Sequence, residues 1–233
     1  MAVTKETKRQ DGRGPAAMRP PKVVFGPLSR ADGSAKFLMG SSSWVAAVYG
    51  PKEGPGGGMR AVEKNCGRAH VEVVVRPAAG QVQTSDRCLE LAVLKHVETL
   101  VVLENFPRMT IQVVAQQQRS DGSDTAVCLN AVWLALLEAG IPMRTTALAV
   151  GIGFGKEGLF LDPNYSEEQN LPAGATAVVD CHSADVMSML PTKGPLPQHH
   201  WSTAVCLSQA GVKMLEGFLR QAYAKKLDKL PKC

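Results

Sequence analysis

The chain has 233 residues, enough for one large domain or two small ones sharing a core. It carries 26 Lys and Arg against 21 Asp and Glu, a formal charge of +5, which permits contact with nucleic acid without demanding it. No apolar run is long enough to span a bilayer, and the N-terminal residues lack a secretory apolar segment, so no membrane partner is expected.

Residues 1–20 read as an extended arm, charged and interrupted by Gly12, Gly14, Pro15 and Pro20. Arg9, Arg13 and Arg19 either reach phosphates from it or remain an ordinary solvated tail. Residues 22–49 carry β-formers broken by turns at Gly26-Pro27, Asp32-Gly33 and Gly40-Ser41, the pattern of a β-meander. The glycine-proline loop at 50–58 lacks the spacing of a phosphate-binding loop. Lys52, Arg60, Lys64 and Arg68 flank it, giving either a solvated positive face or an RNA-facing loop.

Residues 70–76 form a further expected strand. An amphipathic helix is expected over 85–103, with Leu89, Val93, His96 or Val97, and Leu100 on its apolar side. A strand at 109–117 follows, then the stretch 120–142, SDGSDTAVCLNAVWLALLEAGIP. Ser123 and Asp124 suit a helix N-cap, and Gly140 suits the left-handed position after its end. Between them almost no polar face remains, which marks a buried helix around which the sheets pack.

Strands are expected at 145–151 and 158–161. The intervening Gly153, Gly155 and Gly158 match GxGxxG by letter, but a strand follows where a dinucleotide motif needs a helix, so a glycine hairpin is the reading. Strands at 175–181 and 185–190 flank Asp180-Cys181-His182-Ser183, whose neighbours point to opposite faces and cannot converge as a triad. His199-His200 lacks metal-ligand spacing. The last helix is expected over 202–230, buried along Val205, Val212, Leu215, Leu219 and Ala222. Cys66, Cys88, Cys128, Cys181, Cys206 and Cys233 form no CxxC pair, which favours reduced thiols over a disulfide or zinc framework. Both halves run strands then helix, pointing to a duplicated α+β unit.

Several stretches in shared order resemble the RNase PH family of phosphate-dependent 3′ exoribonucleases: Arg9-Gln10-Asp11-Gly12-Arg13, Met18-Arg19-Pro20, Gly33-Ser34-Ala35, Ser120-Asp121-Gly122-Ser123 and Leu129-Asn130-Ala131 running to Ala139-Gly140-Ile141-Pro142-Met143. Val45-Ala46-Ala47-Val48-Tyr49-Gly50-Pro51, Val75-Arg76-Pro77 and Leu161-Asp162-Pro163 look like the eukaryotic exosome ring subunits of that family. The resemblance covers roughly residues 8–225. It implies an α+β fold of duplicated units related to ribosomal protein S5 domain 2, with mixed sheets packed on buried helices, as a single domain over 21–230. It also implies a six-membered ring of such subunits, S1/KH cap subunits above it, and single-stranded RNA in its channel. The expected compartments are the nucleus and nucleolus, and also the cytoplasm.

Active members of the family hold phosphate with a Gly-Thr-Arg after the Asp-Gly that opens the core helix. Here Asp121-Gly122 is followed by Ser123, Asp124 and Thr125, without an arginine and with a negative charge where phosphate docks. On the preceding helix, two family arginines align with Lys95 and Glu98, which lose the bidentate fork and reverse the charge. Lys95, Ser123 and Asp124 therefore form a degenerate phosphate site. Asp162 and Glu168 keep the six-residue spacing of the family's acidic pair, either as degenerate catalytic candidates or as ordinary acids of an exposed turn. The expectation is a non-catalytic ring subunit scaffolding 3′-to-5′ RNA processing and ribosomal RNA maturation. Its backbone contacts to RNA would come from Arg60, Arg68, Arg76, Arg87 and Lys95, with no catalytic residue, metal or cofactor. One alternative is an active phosphorolytic exoribonuclease using Mg²⁺ and inorganic phosphate. Another is a stand-alone S5-like RNA-binding module.

Overall fold

The computed structural model describes residues 9, 11–53, 67–155, 158–196 and 198–228. Two sheets share one apolar core. The first is built from β1 (Pro21–Phe25), β2 (Gly33–Met39), β3 (Ser42–Glu53), β4 (His70–Arg76) and β5 (Met109–Arg119), in the order β1-β2-β3-β5-β4. β1, β2 and β3 form the expected meander, and β4 is the one strand that runs parallel to its neighbour, β5. A parallel pair needs a crossover, which α1 (Thr84–Leu100) supplies. Val93, Val97 and Leu100 are its buried stripe, as the spacing predicts.

The central helix, α2 (Asp124–Glu138), packs against β2 and β3 of the first sheet and β6 of the second. From Ala126 to Leu136 every residue is buried, because a helix with sheet on both sides has no face left for water. Asn130 is the exception in chemistry. Its amide donates to Ala149 O and accepts from Ala149 N, both at 2.8 Å. Ala149 lies on β6 beyond the stretch that β7 covers, so this one side chain supplies the missing ladder partner and fixes helix to strand.

The second sheet is antiparallel in the order β7-β6-β8-β9: β6 (Ala147–Gly155), β7 (Gly158–Leu161), β8 (Ala173–Asp180) and β9 (Val186–Lys193). The glycine hairpin is as expected, with Gly155 opposite Gly158. β6 and β8 show no in-out alternation because both faces are covered. At Gly151 one face meets Ser123, ahead of α2. At Val150 the other face meets Gly211 of α4 (Trp201–Leu227). The buried stripe of α4 starts at Ala204 and Ser208 instead of Val205, then follows Val212, Leu215 and Leu219. Near its end Tyr223 meets Phe25 of β1 edge to face, and Lys226 pairs with Glu138 at the foot of α2. Asp180 accepts from His182 N and Ser183 Oγ, so the Asp-Cys-His-Ser stretch is the tight turn expected of it. Among the described residues no helix is long and apolar enough to cross a membrane.

Candidate functional site

The loop after β7 and the loop before α2 meet at the head of the central helix. Gly122 makes the close approach possible: its φ is +83°, and a Cβ there would lie 2.5 Å from Pro163 O. Ser42 ties the earlier loop to β3, donating to Gly122 O and accepting from Asp121 N. The later loop contains a helix the sequence reading missed, α3 (Tyr165–Asn170). Its signal was legible as a capping box: Asn164 Oδ1 accepts from Glu167 N, and the Glu167 carboxylate accepts from Asn164 N, each at 2.9 Å.

Arginines of the N-terminal arm converge on that loop from the opposite side. Arg19 donates through its backbone N and Nε to Asp162 Oδ2 at 2.8 Å, and through Nη2 to Asp162 Oδ1 at 2.6 Å. Its remaining N–H groups go to Asp121 and Gly122, so all five guanidinium donors are used. Arg9 grips the Glu167 carboxylate with a two-pronged contact of 2.8 and 2.6 Å. It also donates to the carbonyls of Ala17, Leu161 and Asp162, and lies 4.8 Å over the Phe160 ring. Arg13 bridges Asp11 and Asp162. The expectation that these arginines reach for phosphates is thereby corrected. Three cations pair with Asp11, Asp121, Asp162 and Glu167 of their own chain, and a solvated arm would leave the buried Asp162 and Glu167 carboxylates unpaired.

This placement separates the two acidic candidates. Asp162 is buried at 1% exposure with φ +51°. Burial alone would raise its carboxyl; the hydrogen bonds and charge of Arg19 outweigh that and hold it below the ordinary range. Both its oxygens accept guanidinium donors, which engages this carboxylate in holding the arm to the loop. Glu168 turns the other way. Its Oε1 accepts from Ser123 N at 2.7 Å, filling the helix-head N–H with a carboxylate from the same chain. Burial pushes the Glu168 carboxyl up, and the nearby Asp124 charge adds to the rise. Among the described residues no group of three or more His, Cys, Asp and Glu is arranged to hold a metal ion.

The degenerate phosphate residues divide in the same way. Ser123 precedes α2 with φ +55° and makes no capping bond, in contrast to the N-cap its residue type predicts; its hydroxyl donates instead to Pro163 O at 3.0 Å. Asp124 accepts from Trp44 Nε1 at 3.4 Å, from Gln117 Nε2 at 3.1 Å and from Ser120 Oγ, yet burial still raises its carboxyl above the ordinary value. Ser123, Asp124 and Glu168 border a cavity of ≈ 220 Å³ whose far side is formed by β8 and the end of β9. Lys95 does not line it: that side chain is exposed on α1 and paired with Glu98 at 3.6 Å.

Of the RNA-contact candidates, Arg60 lies outside the described residues. Arg76 ends β4 and Arg87 lies in the opening turns of α1, both exposed on either side of residues 77–83. Arg68 is exposed before the start of β4, close enough to act on the charge of Glu104. The strand between Arg68 and Arg76 is roughly 20 Å long, which sets those two candidates apart along the first sheet's edge.

A model of the 3′ exoribonuclease family, domain 1 (RNase PH), matches residues 17–142. The chain is 37% identical over 174 residues to the Oryza sativa exosome complex exonuclease RRP46 homolog, covering 74% of this chain and 71% of that protein. It is 31% identical over 238 residues to the Arabidopsis thaliana exosome complex component RRP41 homolog, covering 98% and 96%. The crystal structure of rice Rrp46 superposes with a TM-score of 0.85 at 30% identity, over 92% of this chain and 99% of that one. The α+β two-sheet fold and the motif order thus carry the same conclusion as these likenesses: the chain belongs to the RNase PH family of 3′ exoribonucleases.

Proposed function

We propose that this chain is a non-catalytic, RNase PH-like subunit of an RNA exosome core ring, scaffolding 3′-to-5′ processing and degradation, including ribosomal RNA maturation. The similar rice and Arabidopsis proteins are named as exosome components, which supports the assembly. The observation that carries the loss of catalysis is the carboxylate of Glu168 on Ser123 N, with Asp124 beside it. Phosphorolysis needs a phosphate dianion in line with an RNA 3′ end, and a helix head supplies N–H groups for such an anion. Here one N–H at that head, that of Ser123, is taken by an internal anion, and the neighbouring Asp124 charge is repulsive.

In this reading the partners are other RNase PH-like ring subunits, S1/KH cap subunits and single-stranded RNA, in the nucleus, the nucleolus and the cytoplasm. Arg76 and Arg87 supply sequence-independent backbone contacts, with Arg68 as a separate point. The rival reading, a working phosphorolytic enzyme, needs Asp162 and Glu168 acting together with Lys95 on phosphate. The arginines around Asp162 and the absence of Lys95 from the cavity lining argue against it.

Two measurements test the proposal. Purified protein incubated with labelled single-stranded RNA, Mg²⁺ and phosphate is expected to release no nucleoside diphosphate; release that disappears in Glu168→Gln overturns the non-catalytic assignment. Tagged protein drawn from extract is expected to bring ring and cap subunits with it. Recovery as a lone monomer overturns the assembly.

A further inference from the structure

The cavity beside the helix head has a feature that anion exclusion does not explain. Thr176 lies on its floor at 1% exposure, and its hydroxyl makes no hydrogen bond to a described residue, so it faces the cavity unengaged. Its direction is fixed by register. Thr176 stands opposite Gly151 across the β6–β8 ladder, and a Cβ on Gly151 would point at Ser123 Oγ, 2.5 Å away. Residues opposite each other in an antiparallel pair share a face, so Thr176 points to the same side, into the cavity.

The carboxylates bordering the same cavity keep acceptor sites that no described donor fills. A carboxylate offers about four lone-pair sites. Glu168 takes one protein donor, Ser123 N, on Oε1, and its Oε2 takes none among the described residues. Asp124 takes three. The one cation on the cavity wall, Lys193, is committed elsewhere: its Nζ donates to the carbonyls of Glu168 at 2.7 Å and Gln169 at 2.8 Å, closing the C-terminal end of α3.

We infer that this cavity takes a cationic group with several N–H donors, a guanidinium or an ammonium, held by Glu168, Asp124 and the Thr176 hydroxyl. The inference rests on the anion-excluding reading of the helix head and gives the vacated pocket a ligand class of opposite sign. Such a group supplies donors to Glu168 Oε2 and Thr176 Oγ and offsets two neighbouring negative charges in partly excluded water. It can come from a free amine or from a side chain of a neighbouring ring subunit.

The test uses the full chain with labelled threonine methyls, since Thr125, Thr176 and Thr192 all border the cavity. The probe is agmatine, which carries a guanidinium at one end and an ammonium at the other. Saturable shifts confined to these methyls are expected, with affinity about tenfold lower in Glu168→Gln, as removal of a charge-assisted bond predicts. Thr176→Val is expected to weaken binding a few-fold while leaving the fold's other methyl signals in place. No shift, an equal shift with 1,4-butanediol, a shift with Mg²⁺ alone, or unchanged affinity in Glu168→Gln each overturns the inference. Orthophosphate binding with diphosphate release instead overturns the non-catalytic reading, whereas silence to both agmatine and orthophosphate overturns only the cation site. In the reconstituted ring, Thr176 already shifted and unresponsive to agmatine assigns the cation to a neighbour's side chain. A retained response assigns it to a free amine.

Discussion

The loop after β7 carries its carboxylates into two different surroundings. On the arm side, Asp162 and Glu167 receive guanidinium donors from Arg9, Arg13 and Arg19 until few lone pairs remain. On the helix side, six residues from Asp162, Glu168 receives one backbone N–H and faces Asp124. Both surroundings are desolvated, so burial raises every one of these carboxyls. What differs is whether a guanidinium hydrogen-bonds the carboxylate. Where arginine does so the carboxyl ends below its ordinary range, and where Arg19 acts only through its charge the carboxyl ends above. Segments that bury acids with matched cations build structure; those that bury acids without them leave a charged pocket for something else.

Removing the cation from the matched side breaks the comparison most strongly. Arg19→Met leaves Asp162 buried with no guanidinium on either oxygen except the longer contact from Arg13. A loss of about 3–5 kcal/mol in urea unfolding is expected, as for a buried pair deprived of one partner. The double variant Arg19→Met with Asp162→Asn is expected to recover part of that loss. A single variant as stable as the parent would mean that the arm does not hold the loop.

Much of the fold was legible and much of this cluster was not, for physical reasons. The central helix stands out because eleven consecutive buried positions need apolar letters, and both hairpins of the second sheet show in their turn residues. Arg9 and Arg13 lie about 150 residues from Asp162 and Glu167 in sequence. Charge composition alone cannot say whether an arginine faces its own chain or a phosphate, and that distinction exists only once the loops meet. Family motifs marked Arg9, Arg13, Arg19 and Asp162 as special without saying that they touch. The six-residue spacing of Asp162 and Glu168 suggested one acidic pair, but the positive φ at Asp162 and the short α3 turn the two carboxylates to opposite sides. Glu167, which the sequence reading passed over, bears the contact with Arg9.

Acid titration separates the two sets by sign. Asp162 and Glu167 have depressed folded-state values, so their stabilisation is full above the unfolded range near pH 4 and is lost as the pH falls through the folded values. Asp124 and Glu168 are raised, so their charge opposes folding above that range, and protonating them on the way down from neutrality relieves it. Stability measured by urea against pH is therefore expected to rise slightly as the pH drops towards 4 and then to fall. Glu168→Gln is expected to flatten the rise and leave the fall in place. Burial of His96 works against the rise over the same window. The deciding comparison is therefore with Glu168→Gln: an identical pH dependence in the two proteins between neutrality and about pH 4 would mean that the Glu168 carboxylate is not disfavoured.

The smallest effect is expected at Lys95, and it decides where the anion logic stops. Its contact with Glu98 is an exposed i,i+3 pair at 3.6 Å, the kind that contributes about 0.5 kcal/mol or less. Lys95→Met should therefore shift the urea midpoint barely at all. The informative comparison is the same pair of proteins with orthophosphate at millimolar concentration. A ligand that binds only the folded state raises stability through mass action. If Lys95 served a phosphate site, the parent would gain stability and the variant would not. With the helix-head N–H already held by Glu168 and Lys95 outside the cavity, neither protein is expected to gain, and the two curves should stay superimposed.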